Sequence, residues 1–417
     1  MRILQVNTYH YRRGGDAVHA LALGEALRAD GHDVRFFGMR HPSNLPSPDS
    51  EYWMPYIDFA EMNRHKSLAS AARVLGRTLY SREAARRIGR MVDEWRPDVA
   101  HLHSIHGHLS LSVLAELDRR GVPIVWTVHD QKLLCPNTHL VLRGVPCERC
   151  KGNRFIQCTV NRCKKDSLGA SVVATLEAEV DRFIGPAKRV DRFISPSRYL
   201  LGKFAEFGWD TAKFVHIPNF APSPTAAVRR APAPGRFAYI GRVETPKGIG
   251  ALIEAIGATE GATLQVAGEG PLEGRYRALA ARVAPGRVTF RGLLDQVSLD
   301  EIRDSSLALV VPSEWNENGP LTVIEALNRG CPVVASERGG LPEMVQHDVN
   351  GLLFPSGDVE RLAESLRRMM SEPGLAARLG EQAARESSER SVDVYLSRLL
   401  EVYRSVIEER ATKGGSH

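Results

Sequence analysis

No apolar run in this chain reaches the length of a bilayer crossing, which excludes a spanning helix. No signal-peptide pattern precedes the first apolar stretch, Arg2–Val6, so a cytoplasmic location is expected, with the inner membrane face as the alternative. Cysteine is scarce: six residues, five of them between 135 and 163. In a reducing compartment these are expected as thiols or metal ligands rather than disulfides. An excess of charge is also lacking, with 55 Lys and Arg against 49 Asp and Glu, a formal +6 and a pI near 9.0. That balance suits an acidic substrate or an anionic surface and is too mild to imply nucleic acid. With 43% hydrophobic and 25% charged residues the chain is neither disordered nor fibrous. At 417 residues it exceeds one hydrophobic core, so two domains are expected.

What is present begins with a strand, a turn bearing Gly14-Gly15 and a helix over 16–29, the opening of a parallel doubly wound sheet. Glycine at this junction lets a ligand approach the backbone closely. A helical, basic stretch follows over 64–95, read as a solvated face or as a rest for anionic lipid. Strands at 99–103 and 124–128 end in histidines. In such sheets strand carboxyl ends face the ligand crevice, so His129 is a candidate site residue and His101 a blander one. The insertion 131–165 carries Cys135, Cys147-x-x-Cys150, Cys158 and Cys163 among many basic residues. Its spacing suggests a structural zinc held by four of the five, the alternatives being an iron–sulfur cluster, free thiols or a disulfide.

A Pro/Ala-rich stretch without periodicity, 221–235, marks a linker between a domain over 1–220 and a second over 236–390. In the second, short apolar strands again alternate with helices and exit into Gly, Pro or charge. The segment 391–417 reads as a last amphipathic helix that packs back toward the first domain. The informative stretch is 311–330, V-P-S-E-W-N-E-N-G-P-L-T-V-I-E-A-L-N-R-G. A buried strand ends, Glu317 sits on the loop, and a helix beginning near Pro320 carries Glu325. Free amides at a helix start make an anion site, with carboxylates on either side to grip hydroxyls.

Gly14-Gly15, His129, G-R-x-x-x-x-K-G at 241–248, G-x-G-P at 268–271 and E-x7-E at 317–325 stand in an order that resembles the GT-B glycosyltransferases, in particular the retaining family 4 group. The resemblance spans nearly the whole chain except the cysteine insertion. It implies two Rossmann-like α/β domains facing across a cleft, and transfer of a sugar from a nucleoside-diphosphate donor, UDP-, GDP- or similar. The acceptor would be a hydroxyl of a sugar, lipid or small molecule. By resemblance Glu325 would bind the ribose and Glu317 the donor sugar. Asn318, Gly319, Pro320, Leu321 and Thr322 would surround the sugar and distal phosphate, and Leu293 the base. Arg242 and Lys247 would neutralise the diphosphate, Gly14 and Gly15 approach it, and His129 reach the transferred sugar. No Asp-x-Asp stands at a strand end to hold a divalent ion, so no cofactor is expected for transfer. The competing readings are a sugar-nucleotide epimerase or hydrolase of the same architecture and a zinc-bearing nucleic-acid module. Two full α/β domains argue against the latter, and no nucleic-acid partner is expected.

Overall fold

The computed structural model describes residues 1–57, 68–221 and 232–414. Contacts divide the chain into two compact units, one of Met1–Leu142, Cys147–Ile217 and Tyr395–His417, the other of Arg143–Pro146 and Pro218–Val394. Most of the Pro/Ala-rich stretch lies outside the described residues, as do Arg64 and Lys66 of the basic segment.

The N-terminal unit is built on strands β1 (Arg2–Val6), β2 (Asp33–Phe37), β3 (Val99–Leu102), β4 (Ile124–Thr127), β5 (Arg192–Ser195) and β6 (Phe214–His216). They form one parallel sheet in the order β2-β1-β3-β4-β5-β6. Its middle strands are buried on both faces, β3 and β4 along their whole length, as expected where crossover helices cover a parallel sheet on either side. The helix expected over 64–95 is two, Leu68–Leu79 and Arg82–Trp95. Ser81 makes the break: its backbone is extended, and its hydroxyl accepts from the Ala84 amide at 3.2 Å, starting a new helix.

The last helix, Val392–Gly414, joins this unit from residue 395 onward. Its stripe of Tyr395, Leu399, Tyr403 and Val406 is buried. The Tyr403 hydroxyl lies 2.6 Å from His101 Nδ1 and the Tyr395 hydroxyl 3.1 Å from His19 Nε2. Farther along, Arg410 pairs with Asp191 at 2.9 Å and with Asp118 at 3.0 Å.

The C-terminal unit carries β7 (Arg236–Ile240), β8 (Thr263–Ala267), β9 (Val288–Gly292), β10 (Ala308–Val311), β11 (Val333–Ser336) and β12 (Gly351–Phe354), in the order β9-β8-β7-β10-β11-β12. Alternation along each strand sends side chains to two cores. Phe237, Tyr239, Ala308 and Val310 enter one, and Ala238, Leu309 and Val311 the other. Strands β6 and β12 and the helix Leu375–Arg385 are not evident from the sequence pattern, being short or flanked by charge. In this unit the strand order reverses between β7 and β10, in the other between β1 and β3. Such reversals open a crevice at the strand carboxyl ends.

The loops after β7 and β10 meet backbone to backbone. Gly248 has φ +70°, and a Cβ there would lie 1.9 Å from the Pro312 carbonyl oxygen. A Cβ at Gly15 would meet nothing within 4 Å. Gly248→Ala is therefore expected to lower unfolding free energy by about 2 kcal/mol or more, through strain and overlap. Gly15→Ala, at a helix start, is expected to be neutral or stabilising. Urea titration of the two variants checks this, and equal midpoints would contradict it.

Candidate active site

The loop after β10 begins at Pro312 and is held from several sides. The Ser313 carbonyl accepts from the hydroxyls of Ser336 at 2.7 Å and Ser356 at 3.1 Å. The Glu314 amide donates to the Pro246 carbonyl at 2.9 Å, stitching this loop to the one after β7. The side chains complete the join. Lys247 Nζ lies 2.7 Å from Glu317 Oε1, and Ser313 Oγ donates to the same oxygen at 2.6 Å. The ammonium also sits 4.2 Å from the centre of the Trp315 ring. Glu317 is 8% exposed. Burial alone would raise its pKa, but the Lys247 charge and hydrogen bonds from Lys247, Ser313 and Trp315 outweigh burial and hold it below the usual carboxylate range. The backbone is fixed as well, the Glu317 carbonyl accepting from the Gly340 amide at 2.6 Å. Gly319 has φ +138°, and its carbonyl accepts from Asn219 Nδ2 at 2.9 Å.

The helix Leu321–Asn328 starts after Pro320, whose φ of −66° suits a helix entry. Its first amides have no partner within the helix, which is the general condition of a helix start. Glu325 is buried in its middle, bonded to Arg303 Nη2. Arg303 is fully buried and also reaches Asp300 at 2.7 Å. Nothing in the sequence pattern singles out Arg303, since an arginine on an amphipathic helix reads as surface; the same holds for Asn219. The two carboxylates of E-x7-E thus sit in separate ion pairs. Arg242 is apart from both: its side chain is 64% exposed and pairs with Glu244 at 3.2 Å. Asn318 is buried and Leu293 is 74% exposed.

In the N-terminal unit Gly14 has extended backbone and precedes the helix Gly15–Ala29. His129, half-buried just past β4, has Nε2 3.0 Å from Nδ1 of His103, whose Nε2 lies 2.7 Å from Gln5 Oε1. Burial pushes His129 down to about 4 despite the opposing pull of Asp16, so the ring is neutral at pH 7. His101 is a core histidine, fully buried between Tyr403 and Thr127 Oγ1 at 2.7 Å.

Cys135, Cys147, Cys150, Cys158 and Cys163 are free thiols lining one cavity. Burial, then the neighbouring Cys135, Cys158, Cys163 and Cys147, push Cys150 up to about 12. Among the described residues no group of three or more His, Cys, Asp or Glu stands ready to hold a metal ion, so the expected zinc ligand set is gathered around one cavity without being assembled. Ten non-glycine residues among those described have positive φ, and seven of them lie between Thr138 and Asp166. Left-handed backbone costs roughly 1–2 kcal/mol per such residue.

Because the folded pKa of Glu317 lies below its unfolded value, its ionised pair adds stability above the ordinary glutamate range, and that stability is lost as pH falls through the folded value. The difference in unfolding free energy between the native chain and Glu317→Gln is expected to be full at pH 7 and to shrink below roughly pH 4.3. A difference unchanged from pH 7 to pH 3 would contradict the ion pair's role. Lys247→Met, which leaves a buried carboxylate without its cation, is expected to lose about 3 kcal/mol in the same assay.

Comparison with known proteins places this geometry. The profile described as Glycosyltransferase Family 4 matches residues 13–222, and that of Glycosyl transferases group 1 matches 227–386. The chain is 28% identical to a glycogen synthase of Mycobacterium tuberculosis over 415 residues, covering 93% of this chain and 90% of the relative. It is 29% identical to a D-inositol 3-phosphate glycosyltransferase of Salinispora tropica, covering 75% and 66%. Among solved structures, sucrose-phosphate synthase of Thermosynechococcus elongatus superposes with TM-score 0.69 at 20% identity, covering 98% and 99%. Anabaena HepE in complex with UDP-glucose superposes with TM-score 0.66 at 16% identity, covering 97% and 100%. Among the described residues no helix is long and apolar enough to cross a membrane. The chain belongs to the group 1, family 4 glycosyltransferases of the GT-B fold.

Proposed function

We propose that this chain moves a sugar from a nucleoside-diphosphate donor, of the UDP- or GDP-sugar kind, to an acceptor hydroxyl with retention of configuration at the anomeric carbon. The observation that carries this reading is the buried Lys247–Glu317 pair, lodged where the strand order reverses and just before a helix start. An anion at that helix start meets amides and the positive end of the helix dipole. Lys247 and the exposed Arg242 neutralise the diphosphate there, and the backbone of Gly319, Pro320, Leu321 and Thr322, with Asn318, faces the distal phosphate and sugar.

Glu317, kept ionised, accepts from donor-sugar hydroxyls. Glu325, oriented by Arg303, accepts from the ribose, and the base lies by Leu293. From the N-terminal unit come the Gly14-Gly15 turn, open for a close approach, and His129. A neutral imidazole reaches a sugar hydroxyl without adding repulsion to the positive charge that builds on the anomeric carbon. Departure of the nucleoside diphosphate places negative charge on phosphate oxygens, where fixed cations and amides are most useful. No carboxylate in the N-terminal unit stands out as a nucleophile, so the acceptor attacks on the leaving-group face, with the departing phosphate as base. Transfer on this account draws on Lys247, Arg242 and the helix amides rather than on a cofactor. The acceptor is a hydroxyl of a sugar, a lipid or a small molecule. The similarity to HepE, crystallised with UDP-glucose, supports a nucleotide-sugar donor.

A panel of nucleotide sugars scored by thermal shift identifies the donor, because ligand binding to the native state raises the midpoint. With that donor and an acceptor, Glu317→Gln and Arg242→Ala are each expected to fold yet lose about 10²–10³-fold in kcat. Near-native turnover in both would sink the assignment. Donor alone should remain unchanged; its conversion to an epimer would favour an epimerase. An anomeric proton coupling in the product opposite to that in the donor would overturn retention.

A further inference from the structure

The transfer reading leaves the insertion after β4 unexplained. It has little apolar material of its own: Leu134, Leu140 and Phe155 are buried beside Cys135, Cys150 and Cys158. It nevertheless holds six of the ten left-handed non-glycine residues among those described, including Leu140 at φ 51° and Asn153 at φ 60°. A small segment with strained backbone and so small a core is one that a cross-link would hold in one conformation. Five thiols from three separate parts of the segment line one cavity of about 10 Å³, alongside Asn137, Gln157 and Asn161. That volume is about one water-sized sphere. It suits a single ion.

Charge points the same way. Between residues 131 and 165 there are eight Lys and Arg and one acidic residue, Glu148. A divalent ion with four thiolates carries a net charge of about −2, which basic surroundings stabilise. The thiols do not yet converge on one point. Each sulfur moves on a single side-chain torsion, and all five already line the same cavity. Backbone turns hold the cysteines near one another: the Lys151 amide donates to the Glu148 carbonyl at 3.0 Å, closing a turn that contains Cys150, and the Cys163 amide donates to the Cys158 carbonyl at 3.0 Å.

We propose that the cysteine insertion binds one thiophilic, tetrahedral cation of the zinc class through four of its five cysteines, and that this ion staples the segment following His129. The chemistry is exchange without redox: the ion replaces the thiol protons of its four ligands, and those protons leave to solvent. The proposal stands independently of the transfer reading.

The test is elemental analysis of the full-length protein, purified under reducing conditions without chelator, together with non-reducing intact-mass measurement. Roughly one equivalent of zinc per chain is expected, with no mass deficit from disulfides. Replacement by Co²⁺ should give the visible absorption bands of a tetrahedral thiolate site. Among single Cys→Ser variants at 135, 147, 150, 158 and 163, four should lose the ion and one retain it. Chelation should expose 131–165 to limited proteolysis while leaving the C-terminal unit protected. Reduced thiols with no metal, a mass deficit of two hydrogens per disulfide, stoichiometric iron with cluster absorbance, or zinc retained by all five variants would each overturn the proposal.

Discussion

One contact, Lys247 to Glu317, ties together the loops that follow β7 and β10. Taking a carboxylate out of water costs several kcal/mol unless its charge is met at close range. Here it is met three times, by an ammonium at 2.7 Å, a serine hydroxyl at 2.6 Å and a hydrogen bond from the Trp315 side chain. The loops close on one another because Gly248 lets the first press its backbone against Pro312, and because Gly339 lets a third press against the Glu317 backbone. Strand order supplies the place, glycine supplies the closeness, and the charge pair exploits both.

The N-terminal unit solves a different problem. Its sheet carries polar side chains, Gln5, His101, His103 and Thr127, that are almost wholly buried. Buried polar groups are tolerated when bonded to one another. The hydroxyls of Tyr395 and Tyr403, brought in by the last helix, belong to this network. His129 is the half-buried outer end of the chain, kept neutral by its burial. A helix at the far end of the sequence thereby supports a histidine near residue 130.

The insertion after β4 differs in character from the sheet it follows. It has its own strained backbone, its own basic charge and its own thiol-lined cavity, set directly after the strand that ends near His129. Its own buried apolar side chains are few, Leu134, Leu140 and Phe155 beside Cys135, Cys150 and Cys158.

Much of this was legible in the residues alone. Parallel α/β architecture follows from short apolar strands with Gly and Pro exits, because a strand buried on both faces tolerates no alternation. The loop of Glu317 and the helix of Glu325 follow from Pro312, Gly319 and Pro320, whose backbone preferences are local. The cysteine spacing marks the insertion as a unit. What only tertiary structure decided is partnership. Lys247 rather than Arg242 meets Glu317, Glu325 is met by Arg303 from another helix, and Asn219 braces Gly319 across 100 residues. His101 and His129 look alike as strand-end histidines, yet one is core and the other borders the surface. Local preference is written in a residue and its neighbours. Pairing across the chain depends on which strand ends the fold brings side by side, and that follows from sheet order, which no single segment encodes.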